Sequence, residues 1–492
     1  MIAHLPILQV VAPLIAAPAC MLLRWARLAW LLATGVTWAS LGIAALLARR
    51  VMSEGPVSYA IGGWLAPWGI EYRIDALNVL VLLIVTGIGA VVMPFARASV
   101  EREIPRDRIP LFYVAYLLCL AGLLGITVTG DAFNLFVFLE ISSLSSYILI
   151  AQGSDRRALT AAYRYLIMGT IGATFILIGV GFLYMMTGTL NMQDLAARLQ
   201  AVEDTRTVRA GFAFLTVGIS LKLALFPLHL WLPNAYTYAP SAVSAFLAAT
   251  ATKVAVYMFV RFLFTVFGVD FAFGDLPLEW VLMGLALAAI FSASAVAIFQ
   301  EDVRRMLAYS SVAQIGYMIL GVSFATVAGL TAGMTHLFNH ALMKGALFLA
   351  VGAVAYRLGS TRIDDLAGLG RRMPWTFGAL VIGGISLIGL PPTAGFISKW
   401  YLVAAALELG WWPVAVLILL GSLLALVYMG RIVEAAYFRE PPAGSDQRHE
   451  APPGLLVPTW TLVAANLYFG LDTRLNVGLS REAALALFGG AG

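Results

Sequence analysis

Four lysines lie inside long apolar segments, where a fixed charge is costly. Lys222, Lys253, Lys344 and Lys399 are the only lysines among 31 basic residues, and the loops carry arginine instead. A lysine at the middle of a membrane costs about 2.5–3.5 kcal/mol to insert. Unlike arginine, lysine can lose its proton when it leaves water. At least two of these lysines are therefore predicted to carry protons. The alternative is an inert partner in a buried ion pair, above all at Lys344.

One carboxylate, Glu140, lies in a comparable apolar segment, NLFVFLEISSLSSYILI. A carboxylate inside a membrane span is a candidate for function by default. Ser142, Ser143, Ser145 and Ser146 follow it and could hydrogen-bond the glutamate, water or a neighbouring helix. We predict that Glu140 is the acidic member of the same proton pathway, with a structural salt bridge as the alternative.

Three histidines also lie in apolar segments. His336, His340 and Lys344 follow one another at intervals of four, which places them on one helix face over about 12 Å. Two histidines at this spacing can bind zinc. No carboxylate or cysteine lies nearby in the sequence, so a relay of titratable groups is predicted instead of a metal site. His229 comes about two turns after Lys222 and is predicted on the same face, as a further relay group or a packing histidine.

Two of the lysine-bearing segments contain helix breakers. Pro227 interrupts ISLKLALFPLHLWLP, and Pro391 and Pro392 precede Lys399 in GLPPTAGFISKW. Proline removes a helical hydrogen bond, and in lipid the freed carbonyl must be satisfied by protein or water. In transporters, two interrupted spans at corresponding places in two repeats mark the ion pathway. The breaks, each with its lysine, therefore predict a five-helix unit that occurs twice.

The elements that hold these residues are predicted to be membrane helices. The chain is 61% hydrophobic and only 12% charged, with a mean hydropathy of +0.89, whereas soluble proteins are about 25% charged. Roughly fourteen apolar runs reach the ~20 residues that a span requires. Their centres lie near Val11, Thr37, Val85, Leu120, Ser142, Thr174, Ile219, Ala255, Leu287, Ile315, Gly345, Ser386, Leu423 and Ala464. The sequence therefore predicts an all-α, polytopic membrane protein that forms one membrane domain over residues 1–492.

The charge pattern predicts orientation and argues against nucleic-acid binding. The formal net charge of +5 comes mostly from loop arginines. Arginines follow the odd-numbered spans at Arg24/Arg27, Arg97 to Arg108, Arg156/Arg157, Arg304/Arg305, Arg357 to Arg372 and Arg439/Arg448. Arg49/Arg50/Arg73 and Arg198 to Arg209 are exceptions. By the positive-inside rule, the loops after the odd-numbered spans face the cytoplasm, and both termini lie on the outer side of the cell inner (plasma) membrane.

No pattern of a catalytic or cofactor-binding protein is present in the sequence. Cys20 and Cys119 lie in apolar runs without a metal-ligand spacing or a convincing disulfide partner. There is no phosphate-binding loop and no arrangement of nucleophile, histidine and acid. We expect no cofactor and no metal. Residues 439–454, REPPAGSDQRHEAPPG, are predicted to form a polar loop.

Several motifs together resemble a known family. The segments are KLALFPLHLWLPNAY, APSAVSAFLAATATKVAVY, EDVRRMLAYSSVAQIGYM, HLFNHALMKGALFLAVG and GLPPTAGFISKW. They are similar to the proton-translocating antiporter-like subunits of Mrp-type cation/proton antiporters, respiratory complex I and related hydrogenases. The resemblance implies about fourteen helices with two inverted five-helix repeats, over residues 109–267 and 276–437, and broken helices seven and twelve.

The resemblance also implies roles for the buried polar residues. Glu140 matches the fifth-helix glutamate that pairs with the seventh-helix lysine, here Lys222. Lys253 matches the connecting lysine of the eighth helix, and Lys399 matches the terminal group of the twelfth. Two further residues match polar positions on the axis between the half-channels: His336 and Lys344.

Within the family, two residues favour the D-type component of Mrp antiporters. Lys399 stands where complex I M-type subunits usually have glutamate, and Tyr236 stands where many complex I relatives have histidine. The predicted function is proton translocation in a multi-subunit Na⁺/proton antiporter, with other membrane subunits, protons and Na⁺ as partners. The alternatives are a proton-pumping subunit of complex I or an energy-converting hydrogenase without cation exchange, and a passive scaffold whose titratable residues only stabilise assembly.

Overall fold

The computed structural model describes residues 2–23, 25–440 and 450–489. The predicted loop cations Arg24 and Arg448 lie outside these ranges, as do residues 441–449 of the predicted polar loop. Two strands are present in the described ranges, β1 (Val57–Ala60) and β2 (Glu71–Ile74). They form an antiparallel hairpin in which Val57 lies opposite Ile74. The sequence analysis did not predict this hairpin, because it is short and lies between two long apolar segments.

All the other regular elements described are helical. The α-helices are α1 (Leu5–Leu22), α2 (Ala26–Glu54), α3 (Ala76–Glu103), α4 (Ile109–Val128), α5 (Ala132–Ala151), α6 (Arg157–Thr187), α7 (Met192–Leu199), α8 (Arg206–Leu223), α9 (Trp231–Tyr238), α10 (Ser241–Val260), α11 (Leu278–Ile298), α12 (Val303–Ser323), α13 (Val327–Leu358), α14 (Leu369–Arg372), α15 (Pro374–Ile388), α16 (Ala394–Glu408), α17 (Trp412–Phe438), α18 (Pro453–Leu471) and α19 (Asn476–Gly489). Short 3₁₀ turns occur at Ile2–His4, Ile61–Gly63, Arg106–Arg108 and Ile363–Leu366, and π-helical turns at Arg261–Val266 and Asp270–Asp275.

Twelve helical segments in the described part of the chain are long and apolar enough to cross a membrane. The protein is therefore a polytopic helical membrane protein, as predicted. Every predicted span centre falls inside an α-helix. Two centres, Ile219 and Ser386, fall in helices that do not qualify as whole spans, since α8 carries three charged side chains in its 18 residues and α15 has only 15 residues.

Both predicted interruptions are present. Helix α8 ends at Leu223, where Ala224 adopts a left-handed conformation with φ of 61°, and α9 begins only at Trp231. Helix α15 ends at Ile388, Gly389 has a φ of 91°, and α16 begins at Ala394. We call residues 224–230 the first break and residues 389–393 the second break. They contain Pro227 and the Pro391–Pro392 pair, whose missing N–H groups cannot continue a helix.

The helices that carry the buried polar groups lie at the centre of the bundle. Helices α10, α12 and α13 are almost completely buried, whereas α2, α6, α17 and α18 expose apolar side chains on one side. Small residues allow the close approach at the centre. A Cβ atom on Gly352 of α13, for example, would lie 2.9 Å from the Cβ of Ser241 at the start of α10. The central helices therefore hold their polar side chains away from lipid.

The helix ends form two faces. On one face, which we call the arginine face, Glu103 binds Ser241, Arg304 binds Ala239, Arg357 binds Glu450 and Arg439 binds Asp364. On the opposite face, the β-hairpin contacts the end of α4, and the start of α3 contacts the end of α10. The arginine face carries most of the loop arginines named above.

Candidate functional site

Lys222 lies in the last turn of α8, directly before the first break. Its Nζ donates to Ser143 Oγ at 2.9 Å and lies 3.8 Å from Glu140 Oε1. Both partners are on α5. The lysine side chain is only 3% exposed, whereas that of Glu140 is 28% exposed. The two predicted partners are therefore adjacent, and a serine hydroxyl holds the ammonium group more closely than the carboxylate does.

The other serines of α5 do not bind Glu140. Ser142, Ser145 and Ser146 donate to backbone carbonyls of their own helix, at 2.7 to 2.9 Å. A helical serine hydroxyl reaches the carbonyl one turn earlier without a change in the backbone. Oε1 of Glu140 is buried and has no hydrogen-bond partner among the described residues. The sequence predicted that these serines contact the glutamate, water or a neighbouring helix. Ser143 does contact a neighbouring helix, since it accepts from Lys222 of α8.

Protein groups stabilise the first break. The indole Nε1 of Trp231, at the start of α9, donates to the carbonyl of Leu221 at 3.0 Å. The Trp231 ring stacks on Tyr165 of α6 with centroids 3.8 Å apart. A carbonyl freed at the end of a helix needs such a donor when no water is available. Helix α9 therefore closes the end of α8.

His229 is not on the same helix face as Lys222. The first break separates the two residues, so the predicted two-turn spacing does not apply. His229 is buried and packs beside Phe226 and Tyr309, with ring centroids 5.3 and 6.5 Å away. The prediction of a shared face was wrong because left-handed Ala224 and Pro227 redirect the chain.

Lys253 is completely buried on α10. Its Nζ donates to the carbonyl of Ala248 and lies 3.4 Å from Thr252 Oγ1. Both acceptors belong to its own helix, and the first lies toward the helix start, the direction in which helical side chains lean. Within the described ranges, no carboxylate forms an ion pair with this lysine.

A small cavity lies between Lys222 and α10. It has a volume of about 20 Å³, and its walls include Ser143, Tyr165, Ala251 and Ala255. A polar cavity of about 10–15 Å³ or more can hold one water molecule. One water here would contact Lys222 on the side that faces the helix of Lys253.

His336, His340 and Lys344 lie on the continuous helix α13, as their spacing predicted. His336 Nε2 lies 2.9 Å from Gln314 Oε1, and its Nδ1 lies 2.9 Å from Ser398 Oγ. The His340 ring stacks beside it at 6.0 Å. Both ring nitrogens of His340 are buried without a hydrogen-bond partner among the described residues. The two histidines therefore differ: one is fixed by α12 and α16, and the other is held by packing alone.

Lys344 contacts α12. Its Nζ donates to the carbonyl of Leu307 at 2.7 Å and to the hydroxyl of Ser310. In the described part of the chain, no acidic residue pairs with it, so the buried ion pair considered as its alternative is not found. In the same ranges, no three His, Cys, Asp or Glu side chains are grouped as metal ligands would be.

Lys399 lies one turn into α16 and reaches back across the second break. Its Nζ donates to the carbonyls of Leu387 at 3.1 Å and Ile388 at 2.8 Å, and to Ser422 Oγ at 2.9 Å. The ring of Tyr317 lies 4.8 Å from the ammonium nitrogen. These carbonyls are the last two of α15, and they are left without helical donors by the break. Lys399 therefore caps the C-terminal end of α15.

Lys222 and Lys399 lie at equivalent positions of the two broken helices, although their order in the sequence relative to the breaks differs. Lys222 precedes its break in the sequence, whereas Lys399 follows its own. Both nevertheless lie at the C-terminal end of the first half of a broken helix. This end carries the negative part of the helix dipole and favours a cation.

Sequence reasoning missed several polar neighbours of the site. Gln314 and Ser398 bind His336, and Tyr317 faces Lys399. Gln314 could have been found, because an amide inside an apolar span needs a partner. A buried ion pair between Asp75 and Arg261 was also missed, with oxygen–nitrogen distances of 2.8 and 2.9 Å. Each member lies at the end of an apolar segment and looks like a loop charge in the sequence.

Comparison with known proteins gives a consistent result. The sequence profile of the NADH:quinone oxidoreductase/Mrp antiporter transmembrane family matches residues 129–425. The N subunit of the NADH-quinone oxidoreductase of Desulforudis audaxviator is 44% identical over 489 residues, which cover 96% of each chain. The D subunit of the Na⁺/H⁺ antiporter of Alkalihalophilus pseudofirmus is 33% identical over 424 residues, which cover 86% of this chain and 85% of that one.

The fold is also similar to a solved membrane assembly. A chain of the Mrp complex from a Dietzia species superimposes with a TM-score of 0.90 at 28% identity. The superposition covers 99% of this chain and 97% of that one. The likeness thus extends over the whole bundle, including both broken helices.

Proposed function

Since the chain belongs to the NADH:quinone oxidoreductase/Mrp antiporter membrane family, we propose that it is the proton-translocating subunit of a multi-subunit monovalent cation/proton antiporter. The exchanged cation in this proposal is Na⁺. The likeness to the D subunit of a Na⁺/H⁺ antiporter and to the Mrp complex supports this choice. Its partners are then other membrane subunits of such an assembly.

The observation that carries the proposal is the setting of the buried lysines. Lys222 and Lys399 lie at the C-terminal ends of two broken half-helices, and Lys253 and Lys344 lie on the central helices between them. Every hydrogen-bond acceptor found for these groups is a neutral oxygen, and Lys222 in addition lies 3.8 Å from the Glu140 carboxylate. A neutral amine keeps two N–H donors for such oxygens and gains a lone pair that a serine hydroxyl can donate to. The sites can therefore hold lysine in both protonation states, which a proton carrier requires.

In the proposed path, protons reach Lys222 beside Glu140 and cross to Lys253 by way of the small cavity. They continue along His336, His340 and Lys344 on α13 and leave from Lys399. The charge on Glu140 controls whether Lys222 keeps its proton, since the two groups are 3.8 Å apart. His229 is a packing residue in this path, because it lies within the first break and packs against the rings of Phe226 and Tyr309.

We further propose that α8 with α9, and α15 with α16, each form one span, which gives fourteen spans in total with the twelve continuous ones. The inverted repeats then cover residues 109–267 and 276–437. A matched pair of motifs supports this arrangement: Asp131 caps α5 and bridges Asn191, and Asp302 caps α12 and bridges Arg362. The first bridge lies on the opposite face and the second on the arginine face, as inversion requires. The arginine face is then cytoplasmic and both termini lie outside the plasma membrane.

A second candidate function has its own support. The 44% identity to the N subunit of an NADH-quinone oxidoreductase favours a subunit of a redox-driven proton pump that exchanges no cation. The same proton path would be used in either kind of complex, the antiporter or the redox-driven pump. The two differ in what drives the protons: a Na⁺ gradient in one case and electron transfer by partner subunits in the other.

The test uses the intact complex in sealed vesicles. Proton movement is recorded with a pH-sensitive dye after a Na⁺ pulse and, separately, after addition of a reductant. We expect Lys399→Ala or Glu140→Ala to reduce the driven flux at least tenfold, with normal assembly of the complex. Glu408→Ala, at the exposed last residue of α16, is the control. A flux in either of the first two variants equal to that of the wild type would remove that residue from the path.

The passive-scaffold alternative gives a different result in the same assay. If the titratable groups only stabilise assembly, Lys222→Met and Lys253→Met lower the yield of the complex and leave the flux per assembled complex unchanged. A Na⁺ pulse without effect, combined with reductant-driven flux, would replace the antiporter by the redox-driven pump.

A further inference from the structure

A polar cavity opens on the arginine face at the start of α10, away from both breaks. Its volume is about 230 Å³, and its walls come from the ends of α3, α12 and α13 and from Ser154. The charged and titratable groups that face it are Arg102, Glu103, Arg304 and Tyr356. The proposed path through Lys222 and Lys399 makes no use of this cavity.

Glu103 is the carboxylate of this cavity. Its Oε2 accepts from the backbone N–H of Ser241, the first residue of α10, at 2.9 Å, and its Oε1 accepts from Ser99 Oγ at 2.6 Å. No arginine within the described ranges forms an ion pair with it. The Arg304 guanidinium binds the Ser241 hydroxyl and the carbonyl of Ala239 instead. The carboxylate is thus positioned at the helix start while it remains free of a salt bridge.

A line of polar atoms leads from Glu103 along α10. Ser241, Ser244 and Ala248 lie at intervals of three and four, so they share one face of the helix. Ser244 Oγ lies 2.8 Å from the carbonyl of Tyr236. The carbonyl of Ala248 holds the ammonium group of Lys253. Ser241 and Ala248 are about 10 Å apart along the helix, and the Lys253 side chain leans toward the start of α10, the end that Glu103 contacts.

We propose that this cavity is the proton-uptake site of the arginine face for Lys253, with Glu103 as its proton acceptor. Protons pass from Glu103 along the Ser241–Ser244 face to Lys253, and the central helices thereby have their own access to the arginine face. This inference rests on the proposed function, since it gives that path a second connection to solvent.

The plainer role of Glu103 is to cap α10, and the variant Glu103→Gln separates the two roles. Glutamine keeps an oxygen for the Ser241 N–H and a group for Ser99, so capping is preserved, but it cannot take up a proton. Glu101→Gln is the matched control: Glu101 lies two residues earlier on α3, is 59% exposed and pairs with Arg97 at 4.0 Å.

In vesicles that contain the intact complex, we expect Glu103→Gln to slow driven proton uptake from the arginine face about tenfold at pH 8 and only about twofold at pH 6. Without the Glu103 carboxylate, protons must come directly from bulk water, where their concentration at pH 8 is about a hundredfold lower than at pH 6. Glu101→Gln should match the wild type at both values. Equal rates in Glu103→Gln and the wild type across this range would overturn the proposal and leave Glu103 as a helix cap.

A second measurement does not depend on transport. In a Ser360→Cys variant, with the change in the wall of the cavity, a small, membrane-impermeant thiol reagent added at the arginine face should label the new cysteine in the assembled complex, whereas Cys20 and Cys119 are buried and should not react. Absence of labelling would overturn the proposal, even if Glu103→Gln failed to assemble. Lys399→Ala distinguishes failure of the uptake site from failure of the proposed function. If Lys399→Ala loses flux while Glu103→Gln does not, only the uptake site at Glu103 is wrong. If neither variant loses flux, the proposed function is wrong.

Discussion

Neutral oxygens, and not carboxylates, hold three of the four buried ammonium groups. Lys253, Lys344 and Lys399 donate to backbone carbonyls, and the last two also to serine hydroxyls. An isolated buried charge is costly. An amine that has lost its proton keeps two donors for these oxygens, and its lone pair can accept from a serine hydroxyl. The residue types in the sequence suggested lysines that exchange protons, and the contacts are compatible with that exchange.

The two stacked histidines of α13 allow a prediction at the residue scale. His340→Ala should lower driven proton flux several-fold and cost the complex only the packing of its buried ring, because no described residue hydrogen-bonds that ring. His336→Ala should destabilise the complex by about 1–3 kcal/mol more than His340→Ala does, since it also leaves Gln314 or Ser398 without a partner. Flux and melting temperature are measured on the same preparation. Equal stability losses in both variants would contradict this interpretation.

At the scale of the element, a side chain can replace a backbone hydrogen bond that a proline removes from a helix. Pro94 in α3 has no N–H to offer to the carbonyl of Ala90 one turn earlier. The indole of Trp38 on α2 donates to that carbonyl at 3.1 Å, and Trp30 donates to the carbonyl of Met93 at 2.9 Å. The indole of Trp38 thus takes the place of the missing donor.

This replacement can be tested with a double-mutant cycle. Trp38→Phe should destabilise the protein by about 1–3 kcal/mol, because the Ala90 carbonyl loses its donor. In a Pro94→Ala background, the helix supplies that donor, so the same change should cost markedly less. Unfolding by SDS in mixed micelles measures both free energies. Trp412→Phe, at the exposed start of α17, is the control. A cost of Trp38→Phe that is the same in both backgrounds would contradict the assignment.

At the scale of the whole molecule, a buried polar cluster joins α3 to α10 at the opposite face. Arg261 binds both carboxylate oxygens of Asp75 and the amide oxygen of Asn78, at 2.8 to 2.9 Å. Asn78 in turn donates to the hydroxyl of Tyr257 at 3.0 Å. Since α10 also carries Lys253, the cluster fixes one end of the helix on which the central lysine lies.

Removal of one member of this pair should therefore be costly. Asp75→Asn or Arg261→Gln is expected to destabilise the complex by about 3–5 kcal/mol, because each leaves a buried charge without its partner. In the Arg261→Gln background, Asp75→Asn should add little. The exposed pair of Asp204 and Arg209 is the control, and Asp204→Asn should leave the melting temperature unchanged. Additive losses in the double variant would show that the two residues act independently.

Apolar length and proline act locally, so the class of protein, the approximate position of each membrane helix and the two breaks could be predicted from the sequence alone. It also singled out Glu140, the four lysines and the α13 histidines, because polar groups in apolar segments are costly enough to stand out. The atoms that hold each group became known from the packed structure alone. Lys222 and Lys399 reach equivalent helix ends from opposite sides of their breaks, and His229 lies in the first break and not on the helix of Lys222. Such contacts depend on how separate helices pack against one another, and the spacing of residues within one helix carries no information about them.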